Sequence, residues 1–360
     1  MNISVTDVYD LPQEQPATGL LGLAERGVLP DALVRHGIRR MCAQRLREET
    51  AGGLDRQAAR FTGRIEMLRE SPVAIHTAAA NAQHYELPPA FFELCLGKRL
   101  KYSSCYYTRG DESLDEAEVA MLELYGERAQ LKDGQSILEL GCGWGSLTLW
   151  MAERYPNAKI VAVSNSNQQR EFIESQCRQR RLLNVRVITQ DVNRLELDPE
   201  QFDRCMSVEM FEHMRNYEIL LSRIAGWLRP GGKLFVHIFA HATLMYPFET
   251  AGASNWMGRH FFTGGLMPAS DTLLWFQRDL NIERRWHIDG THYQRTANHW
   301  LANHDARRDQ VLSTLVTAYG SKAAVLWFQR WRMFWMSCAE LFGYANGREW
   351  LVAHYRFARP

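Results

Sequence analysis

Residues 139–145 combine one carboxylate with three glycines at a spacing typical of a cofactor-binding turn. Glu139, Gly141, Gly143 and Gly145 follow a short apolar run, Ser136–Leu140, that we predict to be a buried strand. Glycine lets the backbone approach a ligand closely, and a following helix offers unpaired N–H groups. This segment is therefore predicted to be a strand, a tight turn and a helix start, which is where ligands bind in open parallel sheets.

Three kinds of cofactor compete for such a turn. A phosphate-binding P-loop ends in Gly-Lys-Ser/Thr, whereas Ser146 and Leu147 follow Gly145. A dinucleotide fingerprint needs its third glycine at position 146, which is serine. Glu139 repels phosphate but suits a cation. We therefore expect S-adenosylmethionine, which has no phosphate and carries an ammonium and a sulfonium.

Polar side chains after the next two predicted strands fit the same cofactor. Asn165, which could hold the ribose hydroxyls, and Gln169 follow the second strand. Asp191 follows the third strand, where it could accept a hydrogen bond from the adenine amino group, with Val192 beside it. All four are predicted to be cofactor-binding residues.

Two glutamates and a histidine follow the fourth predicted strand. Glu209, Glu212 and His213 are three and four residues apart, so they converge if the segment turns helically. Methyl transfer is an in-line displacement at a sulfonium carbon, and a protonated amine has no lone pair with which to attack. An acid–base pair of Glu212 and His213 could remove that proton, while Glu209 could steady the histidine or hold the substrate cation. These three residues are the predicted catalytic group.

Strands that alternate with helices of this length predict an α/β, doubly wound, Rossmann-like sheet. The predicted strands are Ser136–Leu140, Ile160–Val163, Val185–Thr189, Arg204–Val208, Lys233–Phe239, Ile282–Ile288 and Trp350–Phe357. Helices are expected at Asp31–Glu49, Leu54–Arg69, Leu114–Gln130 and Tyr217–Leu228, and in an aromatic-rich region from about 297 to 342. We divide the chain into an N-terminal helical cap (1–80), a cofactor-binding core (81–241) and a C-terminal lid with the last two strands (242–360).

The composition restricts the partners and the compartment. The 360 residues carry a formal net charge of +1, which gives no general attraction to nucleic acid. The seven cysteines show no CxxC spacing, so the sequence predicts a reducing, cytoplasmic setting and no metal site. No run of about 18 uncharged apolar residues is present, so we expect no stable membrane insertion. The expected partner is a small molecule, and the sequence leaves open whether the protein forms a homodimer.

Four segments resemble the cyclopropane-fatty-acid-synthase superfamily of methyltransferases. They are Ser103–Tyr107, the glycine turn, Phe211–Tyr217 and His292–Thr296. Three further segments, Gln83–Pro88, Glu212–Tyr217 and Phe342–Trp350, resemble within it the plant coclaurine and other benzylisoquinoline N-methyltransferases. The resemblance covers about residues 35–360.

This resemblance implies the doubly wound fold, a Glu-His pair at Glu212 and His213, and a further active-site glutamate at Glu209. It also places Tyr85 and Ser103 near the cofactor. In the cyclopropane synthases a bicarbonate base is held by four residues that match Cys105, Glu212, His237 and Tyr293, so bicarbonate is a second candidate cofactor. The predicted substrate pocket comprises His237, His241, Tyr293, Trp331 and Tyr344.

Three functions remain open at this point. The first is N-methylation of a small, aromatic or tetrahydroisoquinoline-like amine, whose ammonium the lid rings could hold by cation–π contacts. The second is cyclopropane formation or methyl transfer on an unsaturated fatty acyl lipid. The third is cofactor binding without catalysis, against which the intact Glu212 and His213 argue. Rings at helical spacing, such as Trp331 and Trp335, also suit a buried helix face.

Overall fold

The computed structural model describes residues 16–75, 87–252 and 255–360, and its centre is a seven-stranded sheet. The strands are β1 (Ser136–Leu140), β2 (Lys159–Ser164), β3 (Val185–Thr189), β4 (Phe202–Val208), β5 (Leu228–His241), β8 (Asn281–Ile288) and β9 (Trp350–Ala358). Two short strands, β6 (Tyr246–Pro247) and β7 (Leu266–Met267), form a separate ribbon.

The order across the sheet is β3-β2-β1-β4-β5-β9-β8. Strands β1 to β5 are parallel, and β9 is antiparallel to both of its neighbours. This confirms the predicted doubly wound α/β class. β5 begins at Leu228, earlier than predicted, because Leu228 pairs with Phe202 of β4 before an irregularity in the register.

Helices pack against the sheet, and they also make up most of residues 19–70 and 290–343. They are α1 (Gly19–Glu25), α2 (Asp31–Thr50), α3 (Gly53–Glu70), α4 (Pro89–Cys95), α5 (Leu114–Ala129), α6 (Ser146–Arg154), α7 (Asn167–Arg180), α8 (Tyr217–Trp227), α9 (Trp256–His260), α10 (Gly290–Ala306) and α11 (Arg308–Gly343). The predicted α2, α3, α5 and α8 agree with the structure to within one residue at each end. The short helices α1, α4 and α9 carry too little periodicity to be predicted from the sequence.

Helix α5 brings an aromatic side chain to the middle of the sheet. It starts with a capping box, in which Ser113 Oγ accepts the N–H of Glu116 and the Glu116 carboxylate accepts the N–H of Ser113. Its inner face buries Leu122 and Tyr125 completely. Tyr125 packs 5.5 Å from the ring of Phe235 on β5, which places its hydroxyl beside the middle of that strand.

The C-terminal helices form an aromatic core beside the sheet. Trp331 and Trp335 are fully buried, with ring centroids 5.1 Å apart. By length and composition alone, the segment Arg308–Gly347 is apolar enough to cross a membrane. However, Gly320 interrupts its helix with φ 76° and ψ 161°, and the part beyond Gly320 carries these buried tryptophans. The buried residues of α11 therefore confirm core packing for the aromatic spacing.

Candidate active site

The three glycines of the turn after β1 all have left-handed backbone conformations, but their surroundings differ. φ is 80° at Gly141, 52° at Gly143 and 81° at Gly145. A Cβ atom on Gly141 would lie 2.7 Å from Cγ of Met210, and one on Gly145 would lie 2.7 Å from Cγ1 of Ile173. A Cβ atom on Gly143 would meet no atom of the described residues within 4 Å. Gly141 and Gly145 are thus required for packing, whereas Gly143 borders space that a ligand can use.

Gly143 lines a cavity of about 1230 Å³, counting the open solvent at its mouth. The cavity lies at the carboxyl ends of β1, β2 and β4, where ligands bind in open parallel sheets. Nine of the predicted site residues line it: Ser103, Glu139, Gly141, Gly143, Asn165, Gln169, Val192, Glu209 and His213. The fold therefore gathers side chains from separate segments of the chain around one cavity.

Three buried polar atoms in this wall have no hydrogen-bond partner among the described residues. They are Nε1 of Trp144, Oγ of Ser146 and Nε2 of Gln169. The Gln169 side chain is held in place because Ser164 Oγ donates to its Oε1 at 2.6 Å. A buried polar group without a partner costs about 1–3 kcal/mol. A ligand rich in hydroxyl and carboxylate oxygens would satisfy these atoms, and S-adenosylmethionine carries both.

Glu139 supplies a buried carboxyl at the end of β1. Its Oε2 accepts the hydroxyl of Thr148 at 2.5 Å. Burial raises the pKa of Glu139 to about 8, so the group is mostly neutral at pH 7 while no cation lies beside it.

Binding of a cationic cofactor is expected to release a proton from Glu139. The positive charge favours the carboxylate, so cofactor affinity should rise from pH 6 to pH 8 and level off once Glu139 is ionised without ligand. Calorimetry in two buffers of different ionisation enthalpy measures the released proton. Glu139→Gln should remove the release. A proton release that persists in this variant would assign it to another group.

Glu209 lies in the cavity wall directly after β4, and donors from three parts of the chain contact its carboxylate. The N–H of Ser104 lies 3.0 Å and Nε2 of His237 3.1 Å from Oε1, and the hydroxyl of Tyr293 donates to Oε2 at 2.7 Å. The backbone of Glu209 is left-handed, with φ 46°, which costs a non-glycine residue about 1–2 kcal/mol. Strain stored at a buried carboxylate indicates a functional position.

The charge of Glu209 is set by opposing effects. Burial raises its pKa, while the ammonium of Lys101 and the donors of Ser104 and Tyr293 lower it. Lys101 is itself buried and fixed, since its Nζ donates to Ser103 Oγ at 2.6 Å and to the carbonyl of Ser104 at 2.5 Å. A carboxylate can accept about four hydrogen bonds, so its three contacts with described residues leave one position for a substrate cation.

Glu212 and His213 form a single 3₁₀ turn after Glu209 and face different surroundings. Oε1 of Glu212 accepts the N–H of Phe239 at 2.8 Å, and its Oε2 has no hydrogen-bond partner among the described residues. Burial and the neighbouring charge of Glu209 raise the pKa of Glu212. His213 lines the cavity, with its ring 4.6 Å from that of Phe262. Of the predicted catalytic group, Glu209 and His213 thus reach the cavity wall, and Glu212 lies behind it.

The four residues that the resemblance assigns to bicarbonate do not fit that ion. His237 and Tyr293 already contact the carboxylate of Glu209. The thiol of Cys105 already faces the carbonyl oxygen of Ser103 at 3.8 Å, and Glu212 is turned toward β5, where it accepts the N–H of Phe239. The carboxylate of Glu209 therefore occupies the donors of His237 and Tyr293 that would otherwise bind bicarbonate.

Added bicarbonate is accordingly expected to leave turnover of the wild-type protein unchanged. Glu209→Gly removes the internal carboxylate and releases the donors of His237 and Tyr293. This variant should lose turnover and recover part of it as bicarbonate is added. The measurement is turnover in CO₂-free buffer across a bicarbonate series, with chloride at equal ionic strength as the control. Stimulation of the wild type would contradict the assignment.

Two predicted cofactor residues lie just outside the cavity wall, and a third is beyond the described ranges. Gly145 caps the start of α6. Asp191 Oδ1 accepts the N–H of Asn193 at 2.7 Å, while Val192 beside it lines the cavity. Tyr85 lies outside the described residues. Direct contact of these three with a cofactor stays a prediction.

Three predicted substrate-pocket residues also lie away from this cavity. His241 Nδ1 accepts two backbone N–H groups of the loop after β5, at 3.0 and 2.9 Å. Trp331 is fully buried 4.7 Å from the ring of Phe91, and Tyr344 packs edge-on against Trp350 at 5.5 Å. His237 and Tyr293 reach the site through Glu209. The structure thus divides the predicted pocket between the site and the core.

Several residues of the cavity wall were not predicted from the sequence, among them Lys101, Tyr102 and Tyr125. Lys101 and Tyr102 directly precede the Ser103–Tyr107 segment, so extending that segment by two residues would have found them. Tyr125 lies on the buried face of α5, where nothing distinguishes it from a core residue. Its contact with His237, 112 residues away, exists only in the folded chain.

Comparison with known proteins places this geometry in a family. Residues 74–347 match the family described as mycolic acid cyclopropane synthetase. The (S)-coclaurine N-methyltransferase of Thalictrum flavum subsp. glaucum is 38% identical over 352 residues, covering 97% of this chain and 97% of that protein. A crystal structure of coclaurine N-methyltransferase bound to N-methylheliamine and SAH matches with a TM-score of 0.89 and 38% identity, over 93% of this chain and 97% of that one. A cyclopropane synthase from Mycobacterium tuberculosis, 21% identical with a TM-score of 0.68 over 80% of this chain and all of that one, shares the fold.

Proposed function

Because this chain belongs to the mycolic acid cyclopropane synthetase family, we propose that it is an S-adenosylmethionine-dependent N-methyltransferase that acts on small cationic amines. Glu209 carries the proposal, as a buried carboxylate with one open acceptor position in the wall of the cofactor cavity, beside His213. The similarity to coclaurine N-methyltransferase over nearly the whole of both chains supports an aromatic, tetrahydroisoquinoline-like secondary amine as substrate.

The cavity residues fit S-adenosylmethionine. The donors of Trp144, Ser146 and Gln169, for which the described part of the chain offers no partner, suit its carboxylate and ribose hydroxyls, and Glu139 suits its positive charge. Gly143 leaves room for it close to the backbone. When bound, this cofactor supplies an electrophilic methyl group on a sulfonium.

The residues of the chain prepare the amine for attack. Glu209 holds the substrate ammonium by charge and hydrogen bond, which positions the nitrogen in the cavity. His213 takes one proton from that nitrogen and exposes its lone pair. The new N–C bond then forms as the C–S bond breaks with its electron pair left on sulfur. The balance is one methyl gained by the amine and one proton released. Glu212, buried behind His213, is proposed to complete the acid–base pair.

The proposal is tested by incubating the full chain with S-adenosylmethionine and three acceptors in turn. The acceptors are a tetrahydroisoquinoline, a primary arylalkylamine and vesicles of unsaturated phospholipid. Mass spectrometry should show one methyl group added to the tetrahydroisoquinoline, with an equal amount of S-adenosylhomocysteine, and no change in the acyl chains. A modified acyl chain would establish the lipid alternative, and methylation of no acceptor would overturn the amine assignment.

We also propose a cytoplasmic setting for the enzyme. All seven cysteines lie in the described ranges and are free thiols, which supports a cytoplasmic location. We retain the division into an N-terminal cap, a cofactor-binding core and a C-terminal lid as a proposal, with a small amine as the partner.

A further inference from the structure

We propose that Arg128, His354 and His237 form a hydrogen-bond chain of fixed direction that presents an N–H group to Glu209 and holds it in its carboxylate form. Arg128 and His354 touch neither cofactor nor substrate, so they act as positioning residues. The kinetic part of this inference rests on the proposed function, whereas the direction of the chain does not.

The hydrogen-bond chain runs from the half-buried Arg128 on α5 to Glu209 in the cavity wall. The guanidinium Nη1 of Arg128 lies 2.7 Å from Nδ1 of His354. Nε2 of His354 lies 2.9 Å from Nδ1 of His237, and Nε2 of His237 lies 3.1 Å from Oε1 of Glu209. Both histidines are fully buried. Each ring nitrogen of both histidines is therefore engaged.

Arg128 sets the direction, because a guanidinium donates hydrogen bonds and cannot accept them. His354 must then accept at Nδ1 and carry its proton on Nε2. That proton faces Nδ1 of His237, which must accept and leave the proton of His237 on Nε2, toward Glu209. The hydroxyl of Tyr125, 2.8 Å from the same Nδ1, is a second group that can donate to it.

The two histidines stay neutral, which keeps one proton on each ring. Burial lowers the pKa of both, and the positive charges of Lys101 and Arg128 lower them further. A neutral ring has one donor and one acceptor nitrogen, so the tautomers of the pair are linked.

The same geometry excludes this chain as a route for the reaction proton. A proton relay needs members that can accept at one side and donate at the other. Arg128, at the outer end, cannot take up a proton that passes through His354. The hydrogen-bond chain therefore fixes the charge state of Glu209 and does not conduct protons.

The groups that face Glu209 explain why such a donor is needed. They are the cation Lys101, the hydroxyls of Tyr125 and Tyr293, the thiols of Cys105 and Cys338, the carboxyl of Glu212, and His237. Burial favours the neutral form of Glu209, while the ammonium of Lys101, the N–H of Ser104 and the hydroxyl of Tyr293 favour the carboxylate. The N–H of His237 therefore adds to the effect of Lys101.

The test compares Arg128→Met with Arg128→Lys. Methionine is a long unbranched side chain without a hydrogen-bond donor, and it also lacks the guanidinium that lies 5.0 Å from the ring centroid of Trp286. Lysine can still only donate. In Arg128→Met, the midpoint of the fall in kcat/KM for the amine at low pH (the acid limb) should shift to higher pH by about one unit, because Glu209 loses an oriented donor. Arg128→Lys should keep the wild-type profile.

NMR of ¹⁵N-labelled histidine provides a readout that does not depend on the substrate. In the wild-type protein, Nε2 of His237 and Nε2 of His354 should carry the protons, and Arg128→Met should disturb this pattern. A proton on Nδ1 of His237 in the wild type would overturn the inference. An unchanged acid limb in a folded Arg128→Met variant would do the same. Absence of methyl transfer with the expected tautomers would refute the proposed function alone.

Discussion

His213→Ala is expected to lower kcat for the amine by about 10²–10⁴-fold. His213 lines the cavity at the end of the 3₁₀ turn that follows Glu209, and it is the proposed acceptor of the substrate proton. Without it, the amine remains an ammonium with no lone pair for the methyl carbon. The affinity for S-adenosylhomocysteine should change little, because the glycine turn and Gln169 are untouched. The measurements are single-turnover rate and calorimetric affinity on the same preparation.

Glu212→Gln is the companion variant, because it preserves shape and can still accept the N–H of Phe239. It should lower kcat while leaving cofactor affinity in place. A parallel loss of turnover and affinity in both variants would mean that this turn serves cofactor binding instead of proton removal.

Activity should also fall at low pH, through a pKa above the ordinary glutamate value of about 4.3, because burial raises the pKa of Glu209.

Gly143→Val is expected to abolish cofactor binding while the chain stays folded. Within the described ranges, a Cβ at Gly143 meets no atom within 4 Å, and Gly143 lines the cavity, so the added side chain would take space from the ligand and not from the core. We expect a loss of at least about 100-fold in affinity for S-adenosylhomocysteine, equal to about 3 kcal/mol. Calorimetry measures the affinity, and circular dichroism with thermal unfolding measures the fold.

Gly134→Val is the matched control for backbone strain. Gly134 has φ 81°, its Cβ would also meet nothing within 4 Å, and it lies in the turn before β1, outside the cavity wall. Both variants bear the cost of a side chain at positive φ, about 1–2 kcal/mol of stability. They should unfold at similar temperatures but differ in binding. Normal affinity in Gly143→Val would contradict the assignment of the turn.

Local sequence patterns were sufficient to predict much of the fold and the cofactor-binding half of the site. The apolar runs of β1 to β5 and the glycine turn recur at their predicted positions, because strand burial and turn conformation depend on neighbours in the chain. Since the carboxyl ends of parallel strands meet at one edge, Glu139, Asn165, Val192 and Glu209 were expected together, and they do line one cavity.

The substrate-binding side of the site was less predictable, because the same types of side chain occur in the packed core and in a substrate pocket. The spacing of Trp331 and Tyr344 could not separate core from pocket, and the structure places both away from the cavity. The residues matched to bicarbonate were predicted by type alone. Only their orientation showed that His237 and Tyr293 contact Glu209.

The sequence by itself determined the strand segments, the glycine turn and the kind of cofactor, because each depends on residues a few positions apart. Only the tertiary structure decided how Glu209 is charged and held. Its contacts with Ser104, His237 and Tyr293 span 105, 28 and 84 positions, and the contact of Arg128 with His354 spans 226. Hydrogen-bond direction and burial arise from such distant pairs, and no local pattern of residues encodes them.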